Sequence, residues 1–419
     1  MPSDGHALII GSETQILIRE TLGDDVMHPL VRCALPRLGK KLQVDGRAPV
    51  SGRDPRRVPV LKRRRPKAFA RHSLLDGTLR VHKTENEALA VGGSMTDSVL
   101  ADPGHWGSEQ RVLGWARYRR LRQVEHRLQV EPGTLVHDAF RASLYLKAAA
   151  TAFDALRPER LLHAAEEHVF ARAFVLEARN RGVPSFFAHH APTSLYAFAH
   201  DISADYFLAR GDGERELLGA LGARRDQMRT VGDPAIDDLT QAHPPSSTVM
   251  IGLYGGTEAE SIALITRLSA VLELQLKDIV IAPHPRRRDY GRSVASRLGI
   301  TVAEGRTISS VVRLRPRLFV LTYASGVRIE VEAAGVPTVS LDTMQYPFEE
   351  SMPVAESFGD IEGLSLQVAN QSKIAPEQRA QASRRWIAAV GLEARSRREA
   401  HLMATAATPG PVLDPWVST

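Results

Sequence analysis

Cysteine is almost missing from this chain: Cys33 is the single one in 419 residues, which excludes an intramolecular disulfide and a cysteine-built metal site. Aromatic residues make up only 6%, so the core must rest on Ala, Val, Leu and Ile. No apolar run approaches the ~18 residues that a spanning helix needs. The opening Met-Pro-Ser-Asp-Gly-His has neither the basic nor the apolar region of a secretory signal. A cytoplasmic protein is therefore expected, with peripheral contact at the inner face of the membrane left open. What is present is ordinary for a globular chain of about two domains, with 43% hydrophobic and 24% charged residues. The formal charge of +6 and pI of ≈ 9.5 fit either an Arg-rich composition or an anionic ligand, acceptor or membrane surface.

Residues 1–130 carry the least pattern. His6–Ile10 reads as a short buried strand ending at Gly11. Residues 45–67 are rich in Arg and Pro and contain Lys62-Arg63-Arg64-Arg65-Pro66-Lys67, a solvated loop or a basic patch facing phosphate or anionic lipid. Residues 108–130 read as a basic amphipathic helix and 134–156 as a more apolar one. Beyond them short apolar runs alternate with helical periods. Strands are expected at 160–165, 183–188 and 205–209, with helices at 169–181 and 214–221. Gln241–Thr248, with two prolines and two serines, reads as a linker.

The second half alternates more clearly. Strands at 248–254, 278–282, 300–303, 317–322 and 337–341 are separated by helices at 257–276, 289–298, 307–314 and 326–335. Parallel strands require such helical crossovers, so a doubly wound domain is expected. The expected division is residues 1–243, 247–385 and a helical tail over 386–419.

Ligands of open α/β sheets bind beyond the carboxyl ends of the strands, which singles out three loops. In Tyr254-Gly255-Gly256-Thr257, the glycines let a ligand approach the backbone, and Thr257 with Glu260 has capping-box spacing. That helix start suits an anion or is simply a capped helix. In Pro283-His284-Pro285-Arg286, two prolines fix the direction of a histidine that can donate to a phosphate or leaving-group oxygen, with Arg286 close by. In Ser325-Gly326-Val327-Arg328-Ile329-Glu330, a serine and the following amides open a helix. Glu330, one turn in, can accept from ribose hydroxyls; a serine cap with a dipole-favoured glutamate is the plainer account.

The segments A-P-H-P and S-G-V-R-I-E-V-E-A-A-G-V-P resemble the C-terminal half of GT-B-type glycosyltransferases, above all bacterial surface-polysaccharide enzymes: CDP-glycerol glycerophosphotransferases, Kdo transferases and bacterial sialyltransferases. G-V-P-S-F-F-A-H-H, A-D-Y-F-L-A-R-G and M-R-T-V-G-D-P-A-I-D are similar to the end of the N-terminal domain in that group, so the resemblance spans roughly residues 160–345. It implies two Rossmann-like domains facing each other across a cleft, the first on the acceptor side and the second holding the nucleotide donor. His284 then matches the H-P histidine, Ser325 the first of two hydroxyl residues and Glu330 the acidic position, while Gly326 stands where the second hydroxyl belongs. The implied reaction is metal-independent and needs no cofactor. It transfers a sugar or polyol phosphate from a CMP- or CDP-linked donor to a surface-glycan or lipid-linked acceptor.

An inverting transfer also needs a base near the acceptor hydroxyl. Glu166, Glu167 and His168 follow one strand and His190 another, with cleft lining the plainer role for His189 and His190. Nucleotide-sugar 2-epimerases have a similar S-G-x-x-x-E-E segment and give the second reading; a non-catalytic glycan-pathway protein with the same fold gives the third. Nucleic acid is not expected, because the basic run 62–67 holds no aromatic residue and the basic stretch 115–127 lacks the regular interleaving of a single-strand platform.

Overall fold

In the computed structural model the described residues are 70–83, 85–94, 96–99, 113–127, 133–164, 168–188, 203–220, 223–233, 246–253, 257–284, 287–303, 316–322, 327–340, 373–375, 377–378, 381 and 393–404. The expectations for 6–10, 62–67 and 307–314 lie outside them. The chain divides into two compact units, one of Met1–Leu208, Leu218–Arg229 and Glu399–Thr419, the other of Ala209–Leu217 and Thr230–Arg398.

A seven-stranded sheet is built from β1 (Arg71–Leu75), β2 (Thr78–His82), β3 (Ser98–Val99), β4 (Arg160–His163), β5 (Ser185–Ala188), β6 (Tyr206–Ala209) and β7 (Met228–Thr230), in the order β3-β1-β2-β4-β5-β6-β7. Strands β2, β4, β5 and β6 run parallel, whereas β1 is antiparallel to β2 and β3. The β1–β2 hairpin is absent from the sequence expectations, yet Asp76-Gly77 is its signal. Both residues take positive φ, 48° and 70°, as a two-residue turn of primed type demands.

The helices of this part are α1 (Glu85–Val91), α2 (Trp115–Arg127), α3 (Thr134–Leu156) and α4 (Val169–Asn180). Helix α3 has the expected bounds. Glu125 of α2 accepts the Leu135 and Val136 amides at 2.7 and 2.9 Å, satisfying donors that a helix start leaves unpaired. Helix α3 ends where Arg157 turns left-handed, its N–H donating to the Phe153 carbonyl, with Pro158 next. Phe153, Phe170 and Phe174 then pack with Leu79, Val81 and Leu161 in the core beneath the sheet.

After β6 comes α5 (Asp212–Ala220). The second sheet comprises β8 (Val249–Leu253), β9 (Ile279–Pro283), β10 (Thr301–Val302), β11 (Leu318–Leu321) and β12 (Thr338–Ser340), in the order β10-β9-β8-β11-β12. Every pairing is parallel. Its helices are α6 (Glu258–Val271), α7 (Arg288–Leu298) and α8 (Val327–Ala333), and α9 (Glu393–Ala404) lies near the chain's end. Alternation assigns the two faces: Met250, Val280, Phe319 and Leu321 pack with Ile329 and Val331, while Val249, Ile251, Ile279 and Val320 pack with Ile265, Leu268 and Val294. Burial on both faces is why these strands read as unbroken apolar runs. Each such side chain contributes about 1.5–3 kcal/mol by burial. The fold is thus α/β, with two Rossmann-like sheets, the second parallel throughout and the first parallel over β2, β4, β5 and β6.

Candidate functional site

The second sheet reverses direction between β8 and β11: β8, β9 and β10 step one way, and β11 and β12 the other. At such a reversal the crossovers leave on opposite faces and open a crevice at the carboxyl edge. Two carbonyls of β8 fix that edge. The Leu253 carbonyl accepts the His284 amide at 3.1 Å, and the Gly252 carbonyl accepts both the Thr322 amide and its hydroxyl, at 3.1 and 3.0 Å. His284, just after β9, and Thr322, just after β11, are therefore pinned on either side of the last residues of β8. A Cβ at Gly252 would lie 2.9 Å from a Leu321 methyl, so this close pairing depends on glycine.

Helix α7 supports His284 from behind. At Gly291 a Cβ would meet the Cβ of Pro283 at 2.4 Å, so the helix reaches the strand end only because that position is bare. The Arg287 amide donates to the His284 carbonyl at 2.8 Å, and its guanidinium lies 4.1 Å from the centre of the Tyr290 ring. The Tyr290 hydroxyl donates to the Thr257 carbonyl at 2.9 Å and shares a 2.5 Å hydrogen bond with Ser261. Tyr290 thus ties the start of α6 to the helix that follows His284, a link that sequence reading missed.

Thr257 forms the expected capping box: its hydroxyl oxygen accepts the Glu260 amide at 3.3 Å, and its own amide donates to the Glu260 carboxylate at 2.6 Å. The Thr257 amide, chiefly, holds the Glu260 carboxyl below its usual range. Gly255, Gly256, Arg286, Ser325 and Gly326 lie outside the described residues.

Glu330 stands in a charged cluster of the second unit. Arg210 is 2% exposed; its Nη1 donates to Asp233 at 3.3 Å, its amide donates to Glu214 at 2.8 Å, and its Nε lies 3.9 Å from that carboxylate. Burial alone would lower Arg210, but the charges of Glu214, Asp233 and Glu330 outweigh it and raise its pKa. Glu330 as a residue is only partly buried. Burial first, then the Asp233 charge, push its carboxyl up to about 8 against the pull of Arg210. A carboxyl raised in this way holds its proton more readily than an ordinary one, and in the protonated form it donates a hydrogen bond as well as accepting one. Arg210, Glu214 and Asp233 were missed, although G-D-P, which contains Asp233, stands in a segment of the resemblance.

At the carboxyl edge of the first sheet, Glu166, Glu167 and His190 lie outside the described residues, and His168 lies within them. His168 immediately precedes α4 without capping it through its side chain, and its Nε2 is 3.6 Å from Oε1 of Glu87. The histidine side chain is 34% exposed and the glutamate 1%. Nothing in Lys83-Thr84-Glu85-Asn86-Glu87 marks that carboxylate as an inward one. Two other histidines of this edge are core: His163 stacks on Phe187 at 5.3 Å, and buried His82 bonds Asp97 at 3.0 Å beneath the Gly93 backbone. Among the described residues no group of three or more His, Cys, Asp or Glu is arranged to hold a metal ion, and no helix is long and apolar enough to cross a membrane.

No protein-family model matches the chain, and no curated protein matches it. Among solved structures it is similar to the UDP-GlcNAc 2-epimerase of Neisseria meningitidis bound to UDP-GlcNAc, with 13% identity and a TM-score of 0.46 over 68% of this chain and 89% of that one. It is similar also to the UDP-N-acetylglucosamine 2-epimerase of Rickettsia bellii, with 13% identity and a TM-score of 0.47 over 63% and 78%. A third likeness is to the lipopolysaccharide outer core galactosyltransferase WaaB, with 15% identity and a TM-score of 0.40 over 63% and 80%.

Proposed function

We propose that the chain is an enzyme acting on a nucleotide-activated sugar, and that it transfers the sugar or a polyol phosphate from a cytidine-linked donor to a glycan or lipid-linked acceptor in the cytoplasm. The observation that carries this reading is the pinning of His284 and Thr322 on either side of β8 at the reversal of a parallel sheet. A nucleotide diphosphate needs close backbone approach and donors on both sides of such a crevice. His284 and Arg286 donate to phosphate oxygens, and Ser325 with the amides around Gly326 adds donors from the β11 side. As charge grows on the departing phosphate, donors of this kind stabilise it. Glu330, in its protonated form, donates to a ribose or phosphate oxygen. For the acceptor hydroxyl, His168 takes the proton and Glu87 orients its ring.

A second reading, 2-epimerisation of the sugar, is favoured by one specific feature. Epimerisation removes and returns a proton, and Glu330 beside Asp233 is a carboxyl poised to exchange one. Incubation with UDP-N-acetylhexosamine and no acceptor separates the two, since only an epimerase converts that donor to its epimer.

The central test is a thermal-shift panel of CMP, CDP, UDP and GDP on wild type and His284→Ala. A ligand that binds only the folded protein raises its stability with concentration. A cytidine nucleotide should shift wild type most and leave His284→Ala unshifted. If no nucleotide shifts wild type, the donor site is refuted; a preference for UDP refutes the cytidine assignment alone.

A further inference from the structure

Helix α2 presents to solvent a face whose chemistry the donor reaction does not use. Along Trp115–Arg127, the exposed residues Trp115, Arg119, Gln123, His126 and Arg127 recur at i, i+4, i+8, i+11 and i+12, which places them on one side of an α-helix. Arg120, also exposed, widens that side. The opposite side carries Leu121 and Val124, both buried. The one acid of the helix, Glu125, is turned inward, where it holds the start of α3 and accepts from Arg122 at 2.8 Å. The outward face of this helix therefore carries cationic side chains and no carboxylate of its own.

Trp115 gives the face a second character. It is 58% exposed, among the largest such apolar surfaces of the described residues, and the Arg119 guanidinium lies 4.9 Å from its ring centre. An indole with its polar N–H prefers the headgroup level of a bilayer, and arginine stems lie along apolar surface while their charges reach phosphate. Because the apolar side of α2 is already used within the protein, the helix cannot sink into lipid as a free amphipathic helix does. It can only lie on the surface, held by charge with one aromatic anchor.

We propose that this face of α2 docks on an anionic membrane surface, with Arg119 and Arg127 meeting lipid phosphates and Trp115 entering the headgroup layer. Nucleic acid is the competing polyanion. A single tryptophan at one end of the face does not make the row of stacking positions that single-strand binding uses. The proposal does not depend on the donor chemistry.

The test is vesicle flotation of the full-length protein, with phosphatidylcholine vesicles against vesicles containing about 30 mol% phosphatidylserine. Wild type should float only with the anionic vesicles and be released by about 0.5 M NaCl, where the Debye length shrinks to a few ångströms. Each exposed arginine should contribute about fivefold, so Arg119→Gln with Arg127→Gln should weaken binding about 25-fold. Trp115→Phe should remove the blue shift of tryptophan emission that wild type shows on those vesicles. Circular dichroism of the variants checks that the fold is intact. Equal flotation with neutral vesicles overturns the proposal, as does a folded double variant that binds like wild type. Displacement from anionic vesicles by an equimolar oligonucleotide reassigns the face to nucleic acid and also overturns it.

Discussion

His168 and Glu87 face each other across 3.6 Å, a half-exposed imidazole against a buried carboxylate. The glutamate is held in place by the Lys83 amide, which donates to its other oxygen at 2.9 Å. The His–Glu separation is that of an ion pair and longer than a hydrogen bond, a gap that catalytic pairs commonly close when substrate binds. Donor hydrolysis, with water in place of the acceptor, reads the pair directly. His168→Asn should lower kcat by about 10²–10⁴ and leave the KM for donor unchanged. Glu87→Gln should lower kcat less, because the ring keeps its place but loses the negative partner. Unchanged kcat in both folded variants would assign the base elsewhere.

Glu330 gives the protein a pH dependence whose sign can be worked out. Its carboxyl is raised from 4.5 to about 8, so between those values the folded chain binds a proton that the unfolded chain releases. Stability therefore falls as pH rises. The contribution is fully present below the unfolded value and lost as pH passes through about 8. Thermal melts from about pH 6 to 9 should slope downward in wild type and be flatter in Glu330→Gln. Asp233→Asn should move the titration to lower pH, since it removes a repelling charge and leaves Arg210 facing Glu330. A Glu330→Gln protein with the wild-type slope would place the titrating group elsewhere.

The regular parts of the chain were legible and the reasons are physical. Strands buried on both faces, such as Val249–Leu253, announce themselves as apolar runs, and the β8–β12 rhythm gave the sheet and the position of His284 at its edge. The capping box at Thr257 was legible because it is local in sequence. The Asp76-Gly77 hairpin carried a signal that the low periodicity around it obscured. What no local pattern could reveal is the company Glu330 keeps. Arg210 and Asp233 lie far from it in sequence, so the upward shift of its carboxyl follows only from tertiary structure. Glu87 was hidden likewise, a polar residue in a polar stretch that turns inward.

The bare Cα of Gly291 is a test of how strictly His284 is positioned. Alanine is the better helix former by up to about 1 kcal/mol, which alone would stabilise α7. Against that, the added Cβ would meet Pro283 at 2.4 Å, a contact that forces the helix or the strand end to move. Overpacking of this kind costs about 1–3 kcal/mol. Gly291→Ala should therefore lower the melting temperature and also weaken nucleotide binding, because Pro283 directly precedes His284. His284→Ala should show the opposite division: nucleotide binding lost, melting temperature of the free protein little changed. A stabilised Gly291→Ala with full nucleotide binding would mean that the strand end yields easily and that the register of His284 is not critical.

At the start of α6 the protein has already placed a negative charge on a backbone donor. Glu260 accepts the Thr257 amide at 2.6 Å, the kind of backbone donor that an anion at this helix start would use. Thr257→Ala removes the side-chain half of the capping box and should cost about 1 kcal/mol of stability. Nucleotide binding should survive it, because the hydroxyl serves the cap. Glu260→Gln keeps an acceptor for the amide but removes the charge that repels phosphate. It should tighten nucleotide binding at low salt, and the gain should shrink as salt screens the charge. Isothermal titration with CDP at two ionic strengths checks both variants. Affinity unaltered in Glu260→Gln would place the phosphates away from this loop and leave His284 and the β11 side to hold them.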